Sequence, residues 1–217
     1  MTVWNKQVFK QNEEDLKTAS SPWVDEGGKV MKVPFDKTTG AQISIDYAHH
    51  EIHESDHFTV AYGVADLGAM TSPDDAITLT FTTPNTSKWA HLVILFNSVG
   101  GALCRLREGG SGGALPTGAI TCKNNNRNSS NTSGLLDIAS VAGQLSYDAG
   151  LDTGGILLVD EYISGAATNQ NKGGGGAQGA ERFEWILKKN TRYQVSIFSV
   201  ATAAASIVIH WYEHTNR

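Results

Sequence analysis

Apolar side chains recur at every second position through most of this chain. Ile43, Ile45 and Tyr47 show this spacing. Strand geometry places alternate residues on one face, so the spacing is typical of strands with one buried side. Turn-forming Gly, Pro, Asn or Asp bounds almost every such segment. The predicted strands are Val30–Phe35, Gln42–Tyr47, Phe58–Val64, Ala76–Phe81, Ala90–Phe96, Leu103–Arg107, Gly118–Cys122, Ile156–Tyr162, Arg182–Leu187, Arg192–Ser199 and Ser206–Tyr212.

The composition agrees with a β protein. Only 18% of the 217 residues are charged and 23 are glycine, which favours turns and short strands over long surface helices. Residues 109–118, 123–134 and 165–180 are rich in Gly, Asn and Ser and are expected to be surface loops longer than hairpin turns. The sequence therefore predicts an all-β, jelly-roll-like antiparallel β-sandwich that forms a single domain.

Two features of the last third refine this prediction. Alternation before and after the polar residues 188–191 predicts a hairpin that joins Arg182–Leu187 to Arg192–Ser199. The strand Ser206–Tyr212 has apolar residues on both faces, which suits the centre of a sandwich or a subunit interface.

The N-terminal segment differs from the rest. Residues 1–28 are expected to form a short arm and residues 29–217 the sandwich. The arm could dock onto a neighbouring subunit through Trp4, Phe9 and Trp23, or it could lie against its own sandwich. The sequence shows no signal peptide and no apolar run of membrane-spanning length, so synthesis in a cytoplasm is expected.

Charge and cysteine content exclude several functions. The formal net charge is -5 and the 17 Lys and Arg residues are scattered, whereas phosphate binding needs clustered cations, so no nucleic-acid partner is expected. No membrane partner is expected either. Cys104 and Cys122 are expected to be small, buried or half-buried thiols, because two cysteines in a reducing compartment do not make a disulfide framework.

A cluster of histidines and carboxylates lies in residues 45–58. A turn could gather His50, His53 and His57 around zinc, with Asp56 or Glu54 completing the shell. The spacing does not specify such a site. The alternative is structural, with polar side chains that satisfy backbone groups where two strands cross. We favour the structural interpretation, with neither metal nor cofactor, for the cluster His49, His50, His53, Asp56 and His57.

Enzyme motifs are not found in the sequence. The His-x-His of the cupins does not occur, and neither does the Gly-x-Ser-x-Gly of hydrolases. We therefore expect no enzymatic activity, and a cupin-like metalloprotein is the least favoured alternative.

Several segments together resemble a family of tailed-bacteriophage virion proteins, the head decoration or cement proteins. The resemblance is carried by residues 45–58, 89–92, 126–128, 188–193 and 211–215 together with Phe183, and it does not extend to the first 40 residues. It implies a non-enzymatic protein made in the bacterial host cytoplasm and located on the capsid surface. It also implies a homotrimer that stabilises the head by bridging subunits of the major capsid protein.

Two questions stay open at this point. A carbohydrate-binding jelly roll on a phage head or tail fibre is an alternative, with a glycan as partner. The large apolar side chains could serve subunit contacts or simply the core. The interface candidates are Trp4, Phe9, Trp23, Trp89, Leu92, Trp185, Trp211 and Tyr212.

Overall fold

The computed structural model divides the chain into two compact units, Met1–His49 and His50–Arg217. The structure describes residues 23–24, 30–31, 51–67, 76–113, 115–163, 184–199 and 203–215.

The first unit contains a two-stranded antiparallel pair, β1 (Trp23–Val24) and β2 (Val30–Met31), in which Trp23 faces Met31. This confirms the start of the strand predicted at Val30–Phe35. The strand predicted at Gln42–Tyr47 lies outside the described residues. The predicted division after residue 28 stays a prediction.

The second unit is an antiparallel β-sandwich, as the alternation predicted. One sheet has six strands in the order β10-β6-β12-β4-β9-β7, and the other has five in the order β11-β5-β13-β3-β8. The strands are β3 (His57–Leu67), β4 (Ile77–Thr82), β5 (Lys88–Ser98), β6 (Ala102–Glu108), β7 (Gly118–Thr121), β8 (Lys123–Asn124), β9 (Gln144–Tyr147), β10 (Ile156–Ile163), β11 (Trp185–Ile186), β12 (Arg192–Ser199) and β13 (Ala203–Thr215).

The core lies between the two sheets and is built from the apolar side chains that occupy every second position of each strand. Leu79 and Phe81 of β4 and Ile207 and Ile209 of β13 are at most 1% exposed. Burial of each such side chain stabilises the fold by about 1.5–3 kcal/mol. β13 pairs with β5 on one side and β3 on the other, so the strand that is apolar on both faces occupies the centre of its sheet. The described part of the chain has no helix with the length and hydropathy needed to cross a membrane.

The predicted hairpin across residues 188–191 is wrong. β11 pairs with β5 in the five-stranded sheet, whereas β12 pairs with β4 and β6 in the six-stranded sheet. Residues 187–191 therefore cross from one sheet to the other. Thr83 holds the crossing, because its hydroxyl donates to the Lys188 carbonyl at 2.5 Å and accepts from the Thr191 amide at 3.0 Å.

The strand predicted at Gly118–Cys122 is divided between the sheets. β7 ends at Thr121, and β8 begins at Lys123 in the opposite sheet. Cys104 and Cys122 are free thiols, and desolvation by burial raises the pKa of each to about 12.

The outer face of the six-stranded sheet is covered by the chain itself. Thr80 and Gln194 on this face are at most 2% exposed. The Gln194 side chain donates to the Gly150 carbonyl at 3.0 Å and accepts from the Asp152 amide at 2.9 Å. Arg192 adds two hydrogen bonds of 2.7 Å to the buried Asp152 carboxylate. Residues 149–152 are thereby fixed over the sheet.

The edge strands are short or irregular. β7 has four residues, and β8 and β11 have two each. The remaining edge strand, β10, has eight residues, but its register shifts between Leu157 and Val159. Glu161 of β10 pairs in register with the core residue Cys104, so a charge lies on the inward face at this edge. Bulges and inward charges are devices that discourage strand addition.

Candidate functional site

The histidine-rich junction leads into β3 through a helical turn at residues 51–53. Asp56 accepts a hydrogen bond of 2.7 Å from the Lys88 ammonium, and His57 Nδ1 lies 2.7 Å from the Asn125 amide nitrogen. His53 is exposed. The side chains of Asp56 and His57 thus have separate partners on different segments. His49 and His50 lie outside the described residues.

No metal centre forms where the structure describes the chain. Within those residues, no three His, Cys, Asp or Glu side chains are placed to share an ion. Asp56 and His57 contact the side chains of Lys88 and Asn125, and the structural interpretation of the cluster stays a prediction.

The asparagine-rich loop packs against this junction. Asn124 is 7% exposed, and its amide donates to the Ser55 carbonyl at 2.8 Å and to the Asn131 carbonyl at 3.2 Å. Asn126 donates to the Ser55 hydroxyl at 3.0 Å. Two segments about 70 residues apart in the chain therefore form one hydrogen-bonded unit. The loop is more ordered than the solvated turn its composition indicates.

A buried carboxylate extends this unit to the C-terminal segment. Glu213 is 6% exposed. It accepts hydrogen bonds from the Ser133 hydroxyl at 2.6 Å, the Trp211 indole N–H at 2.9 Å and the Gly134 amide at 2.9 Å. The Glu213 amide donates to the Asp56 carbonyl at 2.9 Å. Three donors balance the desolvation of the carboxylate, and the network joins loop 124–134 to β13.

A second polar cluster joins β5, β13 and the start of β11. His91 Nδ1 lies 2.5 Å from the Glu184 carboxylate, and the Tyr212 hydroxyl donates to the same oxygen at 2.6 Å. His91 Nε2 lies 2.7 Å from Nε2 of His214. Partial burial of Glu184 opposes ionisation, but hydrogen bonds from Tyr212 and His91 outweigh it and lower the pKa of this carboxyl below its ordinary value.

Sequence reasoning missed this second cluster. His91 and Glu184 are 93 residues apart, and His91 and His214 are 123 apart. Only the strand register, which sets Tyr212 opposite His91, brings the three side chains together. No local motif signals such a contact.

The outer face of the five-stranded sheet contrasts with the covered face of the six-stranded sheet. Register places three rows of outward positions across β3, β13 and β5, next to a fourth row, His57, Tyr212 and His91, that is buried. The residues of the three rows are exposed or half-buried, and none is Asp, Glu, Lys or Arg. We call these residues the open face: Thr59, Ala61, Gly63, Val93, Leu95, Asn97, Ser206, Val208 and His210.

Gly63 keeps one corner of the open face flat. A Cβ added at this position would lie 2.7 Å from the Ser206 Cβ and 3.0 Å from the Ala205 carbonyl oxygen. Any larger residue would have to push the neighbouring strand away. The surface presented here is therefore backbone and small side chains.

The predicted interface residues whose side chains the structure describes are either buried or half-buried. Leu92 and Trp211 are at most 1% exposed and belong to the core, and Tyr212 is 7% exposed. Trp89 and Trp185 are half-buried, and the Lys189 ammonium lies 5.4 Å from the Trp89 ring centre. Leu92 and Trp211 thus follow the core alternative that the sequence left open. Trp4, Phe9 and the Trp23 side chain lie outside what the structure describes.

The class that the fold defines is an antiparallel β-sandwich with one covered and one open sheet face. Comparison with known proteins adds no family to this class, since no family model, curated protein or solved structure matches the chain.

Proposed function

We propose that this protein is a non-enzymatic virion component, a capsid decoration or cement protein that binds the major capsid protein through the open face. The observation that supports this most is the asymmetry of the sandwich. The chain covers one sheet face with its own loop, and on the other face it leaves the nine residues of the open face without Asp, Glu, Lys or Arg, with Lys123 of β8 beside Thr59 at the margin. When another protein covers a face of this kind, little free energy is spent on removing water from charged groups.

The size of the open face favours a multivalent mode of binding. Three strands about 4.8 Å apart, with five-residue segments of about 3.3 Å per residue, give a patch of roughly 14 by 17 Å. The resulting area of about 240 Å² is a little under a third of the ~800 Å² that each partner buries in a standard interface. One copy would bind weakly, whereas a homotrimer that engages three sites at once would gain affinity through effective concentration.

The internal chemistry of the chain is consistent with this role. The described polar clusters are engaged in hydrogen bonds that join loops to strands. The raised pKa of Cys104 and Cys122, caused by burial, leaves almost no thiolate at neutral pH, so neither thiol is a ready nucleophile. These features favour a structural component over a catalyst.

The test adds purified protein to undecorated phage heads and follows head melting by calorimetry. We expect the wild-type chain to raise the melting temperature of the heads and the Leu95→Asp variant to lose most of that effect. Leu157→Asp is the matched control, because Leu157 is 36% exposed on β10 and Leu95 is 38% exposed on the open face.

Two results would overturn the proposal. One is the absence of binding to any head by the wild-type chain, and the other is equal loss with both variants. Retention on host polysaccharide without head binding would favour the carbohydrate-binding alternative. Sedimentation of the free protein should give three times the mass of the 23.2 kDa chain if the trimer forms in solution.

A further inference from the structure

Two histidine rings on neighbouring strands direct the same ring nitrogen at each other. His91 of β5 and His214 of β13 have their Nε2 atoms 2.7 Å apart and their ring centres 4.4 Å apart. Tyr212 fixes the plane of the first ring, because it stacks on His91 with ring centres 4.6 Å apart and an interplanar angle of 18°. His214 is half-buried and is followed by the exposed Thr215. The paired nitrogens therefore lie close to the solvent at the end of β13.

Oxygen acceptors lie beside the other nitrogen of each ring. Nδ1 of His91 is 2.5 Å from the Glu184 carboxylate. Nδ1 of His214 is 3.3 Å from the carbonyl oxygen of Thr215. Carboxylate and carbonyl oxygens only accept hydrogen bonds, so each Nδ1 carries a hydrogen, and in a neutral ring Nε2 then presents a lone pair. Two lone pairs at this distance repel each other unless a cation lies between them.

Glu184 favours a cation at this point. Its negative charge acts on both rings, since it interacts electrostatically with His214 as well as with His91. A carboxylate on the far nitrogen is also the usual partner of a metal-bound histidine, because it fixes the ring and strengthens the ligand nitrogen. The Tyr212 hydroxyl donates to the same Glu184 oxygen at 2.6 Å and holds the carboxylate in place.

Two ammonium groups nearby have partners of their own. Lys88 forms an ion pair with Asp56 at 2.7 Å. The Lys189 ammonium lies 5.4 Å from the ring centre of Trp89, which is the register partner of His214. Because the Coulomb energy falls with distance, the carboxylate that contacts the histidine pair outweighs an ammonium that lies over a neighbouring ring.

The distance between the two nitrogens indicates the kind of ion. Imidazole nitrogens bind transition ions at about 2.0–2.1 Å, so two of them lie about 2.9 Å apart at a right angle and about 3.3 Å apart at the tetrahedral angle. The observed 2.7 Å is closer to the right angle, which is typical of Cu²⁺ and Ni²⁺ sites. Among divalent ions of the first transition row, Cu²⁺ also binds nitrogen ligands most tightly. Mg²⁺ prefers oxygen ligands.

We propose that His91 and His214 form a two-histidine site for a divalent late transition ion, which binds Cu²⁺ most tightly and has Glu184 as its positioning residue. Water fills the other coordination positions, since no three His, Cys, Asp or Glu side chains of the described residues are placed to share an ion. A bound ion joins the end of β13 to β5. The inference does not depend on binding to a capsid.

Titration calorimetry of the full-length protein with Cu²⁺, Ni²⁺ and Mg²⁺ tests the site, and NMR spectroscopy locates the ion. We expect binding of Cu²⁺ and Ni²⁺ but not of Mg²⁺. A trace of paramagnetic Cu²⁺ should broaden the amide signals of residues 212–215 first. The signal of Ile207 should stay sharp, because seven residues of strand at about 3.3 Å each place it roughly 23 Å from His214. The electron paramagnetic resonance spectrum of the Cu²⁺ complex should show two coordinated nitrogens.

Three variants sharpen the test. Glu184→Gln should weaken Cu²⁺ binding by about 10–100-fold and keep the two-nitrogen spectrum, because only the partner of a ligand is changed. His214→Gln removes a ligand, so it should weaken binding at least as much and leave one coordinated nitrogen. His53→Gln, at an exposed histidine of the helical turn, should bind as wild type.

Three results would overturn the proposal. The first is that neither Cu²⁺ nor Ni²⁺ binds, which would leave a proton as the cation between the rings. The second is equal Cu²⁺ affinity in wild type and His214→Gln, and the third is broadening that starts near His53 or His57 instead of residues 212–215. Equal affinity in wild type and Glu184→Gln would overturn the positioning role of Glu184. If the variants do not fold, the broadening and the nitrogen count of the wild type decide alone.

Discussion

Removal of the Glu213 carboxylate should destabilise the sandwich strongly, because three donors depend on it. In Glu213→Ala the Ser133 hydroxyl and the Gly134 amide lose their acceptor, and the Trp211 indole N–H keeps only its longer bond of 3.3 Å to the Ser133 hydroxyl oxygen, in a site where Glu213 is 6% exposed. Each buried donor left unsatisfied costs about 1–3 kcal/mol. Since water can enter the space left by the side chain and solvate part of the group, we expect a total near the low end, about 2–4 kcal/mol.

Glu213→Gln should cost less. The amide oxygen can keep the bonds from Ser133 and Trp211 and the 3.1 Å bond from the Gly134 N–H, but the amide nitrogen replaces Oε2, which accepted from the same N–H at 2.9 Å. One donor clash and a lost charge give an expected loss of about 1–3 kcal/mol. The ordering wild type, Gln variant, Ala variant follows from the number of donors satisfied.

Urea denaturation followed by tryptophan fluorescence measures these losses. Glu161→Ala, at an exposed glutamate of β10, is the control and should stay within about 0.5 kcal/mol of wild type. If Glu213→Ala and Glu161→Ala have the same free energy of unfolding, the network around Glu213 does not stabilise the fold as argued.

Two further predictions concern titration. Burial opposes ionisation of Glu108, but hydrogen bonds from Lys188 and Tyr193 outweigh it and lower the pKa of this carboxyl. The ionised carboxyl therefore stabilises the folded protein above the unfolded-state pKa, and this contribution is lost as the pH falls through the folded-state pKa. Glu108→Gln should therefore be less stable than wild type at pH 7 by about 1.5–3 kcal/mol, and the difference should shrink as the pH falls below the unfolded-state pKa of the glutamate; a difference that stays constant in acid would contradict the reasoning. Cys104 and Cys122 should react with a thiol reagent at pH 8 far more slowly in the folded protein than in urea, and equal rates would contradict their burial.

Period-two alternation predicted which side of each strand is buried, but it could not assign strands to sheets. Trp185 and Leu187 project into the same core as Tyr193 and Val195, so their alternation looks continuous across residues 188–191. The two segments nevertheless reach that core from opposite sheets. Both a hairpin and a crossover satisfy the pattern, and the contacts that favour the crossover come from Thr83, which follows β4 and lies 105 residues before Lys188 in the chain.

Short strands and polar contacts between distant residues are the other features that the sequence did not predict. β9 was missed because its four residues bury only Leu145 and Ser146, too few to establish a period. The composition of residues 124–131 indicated a loop but not its bonds to Ser55, since Asn side chains make such bonds in any direction that a neighbour offers. The partners of Asp56 and His57, which are Lys88 and Asn125, likewise come from distant parts of the chain.

The edges of the two sheets also bear on how this protein tolerates crowding. Three edges offer four residues or fewer of unpaired backbone, and the fourth is interrupted by a bulge and by Glu161. Another chain could form few main-chain hydrogen bonds at any of these sheet edges. The described strands therefore offer no template for a continuous fibril. Many copies can therefore be packed side by side at high local density without the sheets fusing.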